Sequence, residues 1–551
     1  MAPSDSFIQR PVNRRAFLGL LGGAAAATGL SSLLGGCSTQ APVSSAAQGS
    51  VANEVLPKYV PISLARPDIA GVNGSVPGYT TLPAKLVSAV PTPPGSGRTI
   101  NAMTPLWGTI PPTDGNQYYD AVNAALGSKI NFQITDGNVY GDKLAAVLAS
   151  PKDVPDWVCV PGWNLPARFG SEIVDNVFAD LTPHLAGEAV TKYPNLANIP
   201  TDAWKSCVFN GKLYGLPFPA GTISDATFYR ADLLKELGAD PNVSTPDELL
   251  ALAKELTDPD KNRWGAEDLW TGAAIMFGAP PKWKLDSAGA LVHRYESEEY
   301  RAALAWTTEL FASGAVHPDA VAGKKDEAKA RFQSGKTLLM SDGLGGWHEA
   351  LRDNLKTNPS YSQLPFAPIA GNGDQPVLWK TNAAGIFSFI KKTDDASMIT
   401  EILGLANALA APFGSKEYDL INNGVEGVHF NRGSNGVPEP TELAAKELQP
   451  TYIFLVDPPA VEAKVQYPGY VEEICTWLAD ASQYLSEPPL YGLQISEPSQ
   501  YASIGAGFPD LEADIVRGRK PLTALDDAVA EWKAAGGDQL RAFYTELLDK
   551  Q

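Results

Sequence analysis

Arg98-Thr99-Ile100-Asn101-Ala102-Met103-Thr104, followed by Asn116–Leu126 and then by Lys129-Ile130-Asn131-Phe132-Gln133-Ile134, is the stretch that decides the fold. Its outer segments read as strands and its middle segment as a helix. Asp142–Ala149 reads as a second helix. Asp156–Pro161, with Trp157, Val158 and Val160 inside it, reads as a third strand. Strands and helices alternating in this way imply a parallel sheet covered by helices on both faces. Leu213–Phe218, after the Asn210-Gly211 turn, closes this first α/β set.

A second set begins with a strand at Ala226–Arg230 and a helix at Ala231–Leu237, which Gly238 is expected to cap. Thr245-Pro246-Asp247-Glu248 has the form of a capping box with proline at the first helical position. Behind it Leu249, Leu252, Ala253 and Leu256 share one face. Glu298–Ala312 reads as a helix, Lys336–Ser341 as a strand, and Ala383–Lys391 as an apolar strand leading into a helix from about Asp395 to Ala410. The final third is mostly helical, ending in Leu525–Ala535 and Gln539–Leu548. No internal repeat is present. The expected fold class is therefore α/β: two α/β lobes followed by a helical tail.

The N-terminus carries an address. Asn13-Arg14-Arg15-Ala16-Phe17-Leu18 opens an uncharged apolar run that ends Leu34-Gly35-Gly36-Cys37. A basic start, an apolar core and small residues before a cleavage point are the parts of an export signal, and paired arginines before Phe-Leu look like its twin-arginine form. The Leu-Gly-Gly-Cys ending resembles a bacterial lipobox, in which Cys37 becomes a lipidated N-terminus. Phe17–Leu34 is long enough for a membrane span, but Gly and Ala dominate it and Leu is sparse. Residues 1–36 are thus expected to be a signal peptide and 37–97 a lipidated cysteine with a Pro-, Ser- and Gly-rich tether. The tether proper would run to about Gly49. Beyond it, Val55, Leu56, Tyr59, Val60 and Ile62 are apolar enough to pack on the surface.

The full chain has 551 residues and a net charge of −19. Removing residues 1–36, which hold three arginines and one aspartate, leaves 515 residues at −21. Such a surface repels nucleic acid and anionic lipid headgroups. A strongly anionic substrate would need a local basic pocket. Of the four cysteines, Cys37 is assigned to lipid. Cys159–Cys207 is a plausible disulfide in an extracellular setting, and three unbridged thiols are an equal alternative.

Six stretches of the chain resemble a known family. Asn210-Gly211-Lys212-Leu213-Tyr214-Gly215-Leu216-Pro217, Phe228–Gly238 and Pro246-Asp247-Glu248-Leu249-Leu250 are similar to extracellular solute-binding proteins of carbohydrate importers. Ala411–Tyr418, Gly424–Phe430 and Glu531–Asp538 resemble its large oligosaccharide-binding lipoprotein branch. The resemblance implies a periplasmic-binding-protein-like type II fold with two lobes hinged around a cleft. The first crossing would fall near Pro217–Gly221, the second near Thr381–Ala384 and a third around Asn431. Residues 98–220 with 384–430 would then form the N-terminal lobe, and 221–383 with 431–551 the C-terminal lobe. It also implies an oligosaccharide or small-sugar ligand, an ABC permease as partner, a monomer on the outer face of the cell membrane, no cofactor and no catalysis. The competing reading is a surface-anchored polysaccharide-degrading glycoside hydrolase or lyase.

Sugars offer flat C–H faces and rings of hydroxyls, so a cleft that binds them wants exposed aromatic planes and planar hydrogen-bonding groups. Trp107 and Trp163 each follow a strand, and ligands of open α/β sheets lie beyond the carboxyl ends of strands. Trp347 follows Lys336–Ser341 on the same reasoning, and Trp270 and Trp283 sit in the second set. Trp157, Trp306, Trp477 and Trp532 lie within strands or helices and are expected to serve packing. Asp225 and Asn382 flank the presumed crossings, and Arg432 follows the third. Asp258, Asp260 and Asn262 place acceptors at alternate positions, as calcium loops do, but Arg263 stands where an EF-hand needs glycine. Gly335-Lys336-Thr337 lacks the first glycine of a phosphate loop, and no HExxH or G-x-S-x-G occurs.

Overall fold

The alternation read from the sequence is realised as two separate sheets. The computed structural model describes residues 54–165, 173–373, 375–433, 436–495 and 497–550. Cys37 and the whole signal segment lie outside them. The strands of the two sheets, in chain order, are β1 (Thr99–Leu106), β2 (Lys129–Asp136), β3 (Trp157–Pro161), β4 (Gly215–Pro219), β5 (Asp225–Tyr229), β6 (Trp264–Ala266), β7 (Thr337–Gly343), β8 (Leu364–Pro365) and β9 (Ala384–Ile390).

The first sheet runs β2-β1-β3-β9-β4. Strands β1, β2 and β3 are parallel, as expected where helices Gln117–Leu126 and Tyr140–Leu148 make the connections. Strand β9 returns antiparallel, pairing Ile386 with Pro161 and Ala384 with Pro219. That register puts the carboxyl ends of β1, β2 and β3 at the same edge as the two points where the chain leaves the lobe. Trp157 is buried, and its indole N–H donates to Ser388 Oγ across the strand pair at 2.7 Å.

The second sheet runs β8-β5-β7-β6, and Asp225 at the start of β5 pairs with Gly343 at the end of β7. Side chains of β5 alternate as a strand requires. Ala226 and Phe228 join one buried cluster and Tyr229 packs on the other. The capping box at Thr245 forms as expected, with its hydroxyl accepting from Glu248 N and Glu248 accepting in return. The helical tail belongs to this lobe: Phe508, Ile515, Leu525, Trp532 and Tyr544 close over Tyr300 and Leu304 of helix Glu298–Ala312.

The first two crossings run side by side, Ala220 N donating to Ala383 O at 2.8 Å and Thr381 N to Thr222 O at 2.9 Å. The third lies later than Asn431. Tyr452, Leu455 and Val456 are still buried in the first lobe's core, and only Tyr470 and Val471 enter the second lobe's cluster with Phe228 and Trp347. Apolar residues beyond Asn431 hold the chain on the first lobe for another turn of its path.

Residues 54–97, expected within the tether region, are a strap laid across both lobes. Val60 N donates to Ala197 O at 2.7 Å and Ile62 N to Asn198 Oδ1 at 2.6 Å, both on the first lobe. Ile69 and Val76 then pack against the second lobe's cluster around Cys475. The strap returns to the first lobe, where Glu417 accepts from Ser88 Oγ at 2.7 Å, Ala89 N at 3.0 Å and Val90 N at 3.1 Å.

Cys159, Cys207 and Cys475 are free and buried, so of the two cysteine alternatives the unbridged one is observed. Asp258 pairs with Lys261 at 2.9 Å at the head of a short 3-10 turn, and Asn262 adopts a left-handed conformation with φ 53°. That carboxylate is already neutralised by a local cation. No described helix is long and apolar enough to cross a membrane.

Candidate functional site

Two aromatic groups lie beside the crossings. On the first lobe, Trp107 follows β1 and Trp163 follows β3, with 39% and 64% of their surfaces exposed. Their ring centroids are 5.9 Å apart, and Phe454 stands 5.8 Å from Trp107 in an edge-on arrangement. Gly137, after β2, makes this placement possible. A Cβ there would sit 2.1 Å from Trp107 Cε2, so only glycine lets the indole lie against the β2 end.

On the second lobe a cavity of about 840 Å³ opens beside the first two crossings. Its wall includes Asp225, Trp270, Trp283 and Asn382, four residues singled out from sequence. Trp270 heads helix Trp270–Met276, which lies very close to the sheet: a Cβ on Gly272 would fall 2.3 Å from Thr227 Oγ1 and 2.4 Å from Ser341 Oγ. Trp283 is only 3% exposed, wedged among His293, Trp532 and Tyr544, so it closes the back of the cavity.

Sequence reasoning missed Trp379, Trp477 and Tyr491 on the same wall. Trp379 Nε1 donates to Gly278 O at 2.8 Å and Trp477 Nε1 to Phe366 O at 2.7 Å, which anchors each indole by its edge. Trp477 was expected to serve packing only. Its helix faces the core with Tyr470, Val471, Ile474, Cys475 and Leu478, and Trp477 falls off that stripe. Trp379 stands two residues before the presumed second crossing, a signal that would have found it. Tyr491 follows Leu490, whose φ of 64° is a strained backbone for a branched residue. Its hydroxyl reaches Thr381 O at 3.3 Å.

Two expectations fail. Trp347 is 1% exposed, packed on Phe228 and Tyr470. It points inward because Trp347, Ala350 and Leu351 form the buried face of helix Gly345–Asn354. Trp347→Phe should therefore lower stability by about 1–2 kcal/mol in a denaturant titration and leave ligand affinity unchanged. An affinity loss would return Trp347 to the site. Arg432 lies away from the cavity on the first lobe, paired with Asp419 at 2.8 Å and Glu426 at 3.1 Å and set over Phe430. Its charge is satisfied there because the chain has not yet left that lobe.

The third crossing carries two acids in a confined setting. Burial pushes Asp457 and Glu462 up to about 7, against the pull of Lys464. Tyr470 donates to Glu462, and Tyr418 faces both acids. Between pH 4 and 7 the folded chain holds protons there that the unfolded chain releases, so these groups make stability fall as pH rises through that window. Glu462→Gln is expected to raise the melting temperature relative to the parent at pH 8 and to match it at pH 4. An equal shift at both values would contradict this origin.

Two α/β lobes joined by paired crossings, with an aromatic-walled cavity beside them, define a two-lobed binding protein of the periplasmic-binding-protein-like fold. The chain belongs to the bacterial extracellular solute-binding proteins, whose family model matches residues 111–396. It is 25% identical over 476 residues to lipoprotein LipO of Bacillus subtilis (strain 168), covering 81% of this chain and 91% of LipO. It is 24% identical over 392 residues to the polygalacturonan/rhamnogalacturonan-binding protein YtcQ of the same organism, covering 65% and 75%. Among solved structures, alginate-binding protein AlgQ2 without calcium superimposes with a TM-score of 0.60 at 16% identity, covering 84% of this chain and all of that one.

Proposed function

We propose that this protein is a lipid-anchored extracytoplasmic receptor that captures an oligosaccharide between its lobes and delivers it to an ABC importer, without chemical change to the sugar. The observation that carries the reading is the cavity of about 840 Å³ walled by Trp270, Trp283, Trp379, Trp477 and Tyr491 at the lobe junction. Indole and phenol faces match the C–H faces of sugar rings, while Asp225 and Asn382 supply hydrogen-bonding partners for hydroxyls. Trp107 and Trp163 would meet the ligand from the other lobe. Binding would then favour an arrangement in which both lobes touch it, the state a permease would read. The lipobox-like ending at Cys37 and the similarity to a lipoprotein support the anchor, and the similarity to a polygalacturonan/rhamnogalacturonan-binding protein supports the ligand class.

The test is a thermal-shift screen across oligosaccharides with the sugars analysed afterwards. A raised melting temperature with the sugar recovered intact is expected. New reducing ends or unsaturated products would replace this reading with an enzyme.

A further inference from the structure

The strap at 54–97 leaves the first lobe, touches the second and returns, and its contacts with the two lobes differ in kind. Hydrogen bonds fasten both its ends to the first lobe. Besides the bonds at Val60, Ile62 and Ser88–Val90, Ser96 donates twice to Glu401, from N at 2.8 Å and from Oγ at 2.6 Å. Val87 N donates to Gly414 O at 3.3 Å, and Lys416 N donates to Val87 O at 2.9 Å.

Between these ends the strap doubles back on itself. Ile69 and Gly78 exchange backbone bonds at 3.0 and 2.8 Å, and Asp68 accepts from Thr80 N at 2.9 Å. The loop so formed meets the hinge at two points. Tyr79 N donates to Glu462 O at 2.7 Å and Glu462 N to Pro77 O at 2.9 Å, so the loop runs beside the third crossing. A Cβ on Gly221 would lie 3.7 Å from Val76 Cγ1, which places the loop against the first crossing as well.

On the second lobe the contact is apolar. Ile69 and Val76 pack on the cluster that holds Tyr470, Val471 and Cys475. The backbone at Gly78 comes so close to helix Tyr470–Ala481 that a Cβ there would fall 2.5 Å from Cys475 Sγ and 3.2 Å from Val471 Cγ1. Among the described residues, no hydrogen bond or ion pair runs from residues 63–86 to that helix. Directional bonds fix the strap on one lobe, whereas apolar burial is non-directional and lets packed surfaces slip.

We propose that the loop Ile69–Gly78 is a brace across the hinge. Seated on helix Tyr470–Ala481, it holds the two lobes in one arrangement when no ligand is present, and lobe movement requires its apolar face to slip on that helix. Ligand-driven movement then carries the cost of unseating the brace, so a segment outside the cavity sets part of the affinity. This goes beyond the receptor reading, because it concerns the motion of the lobes and not what they bind.

The test is a pulsed spin-label distance measurement between exposed helix positions of the two lobes, Ala124→Cys and Ala251→Cys, in the chain carrying Cys37→Ser and with no sugar present. Cys159, Cys207 and Cys475 are buried and stay unlabelled. A narrow distance distribution is expected for this parent. Gly78→Ala, whose methyl group meets Cys475, is expected to broaden it about twofold, and Cys475→Ala added to Gly78→Ala to restore the narrow form. Ile69→Ser weakens the seat without crowding it and is expected to broaden the distribution too. A broad distribution in the parent would overturn the inference, as would a parent-like width in Gly78→Ala or in Ile69→Ser. Broadening by Gly78→Ala that Cys475→Ala leaves in place would overturn the seat on helix Tyr470–Ala481. The receptor reading survives any of these outcomes, since no sugar enters the measurement.

Discussion

Trp107→Ala and Trp163→Ala should each weaken binding of the best oligosaccharide by about 2 kcal/mol, roughly 30-fold in dissociation constant. The rings stand exposed at the carboxyl ends of adjacent parallel strands, 5.9 Å apart, outside the buried cluster of the first lobe. Their removal should therefore be mild for stability and severe for affinity, the reverse of Trp347. Because the rings touch, the double variant should lose less than the two single losses together. Gly137→Ala is a finer probe. It keeps both indoles but pushes Trp107 off the β2 end, and should give an intermediate loss. Unchanged affinity in both single variants would remove the first lobe's aromatics from the site, even with the family established.

The second large effect concerns stability. Glu267→Gln should lower the unfolding free energy by about 3–5 kcal/mol in denaturant titration. Glu267 and Arg331 are both buried beneath the second sheet and meet in a bidentate pair, Nε–Oε1 and Nη2–Oε2 each at 2.7 Å. Thr337 Oγ1 adds a bond to the same carboxylate at 3.1 Å, tying the pair to the start of β7. Neutralising the acid leaves a buried guanidinium whose remaining carboxylate, that of the exposed Glu327, lies 3.9 Å from Nη1. Arg331→Met added to Glu267→Gln should recover much of the loss, since it removes the stranded charge. A single-variant loss below about 1 kcal/mol would mean that water reaches the pair.

The strands β1, β2, β3, β5, β7 and β9 were legible because each combines a short apolar run with turn residues at its ends. The site was legible only in part, and the tryptophans show why. Trp107 and Trp347 follow strands by the same rule, yet one is exposed and the other is core. A readable signal separated them: Trp347, Ala350 and Leu351 are spaced as a buried helical face, whereas Trp107 enters a loop of Gly and Pro. Trp379 is marked only by its nearness to the second crossing, and Tyr491 carries no local mark. They reach one cavity because the short strand Leu378–Trp379 pairs with Leu485–Ser486, more than a hundred residues away. Arg432 failed for a related reason, since the length of chain that stays on the first lobe depends on where Tyr452, Leu455 and Val456 find a core.

The amino-acid sequence alone determined the α/β class, the two sets of elements and their helix caps. Each of these rests on residues within a few positions of one another, where periodicity, capping and hydropathy act. Only the tertiary structure decided the path of the strap at 54–97, the third crossing after Val456, the free state of the cysteines and which aromatic rings wall the cavity. Those depend on what packs over a residue from distant parts of the chain, and burial is a property of the assembled surface rather than of any local pattern.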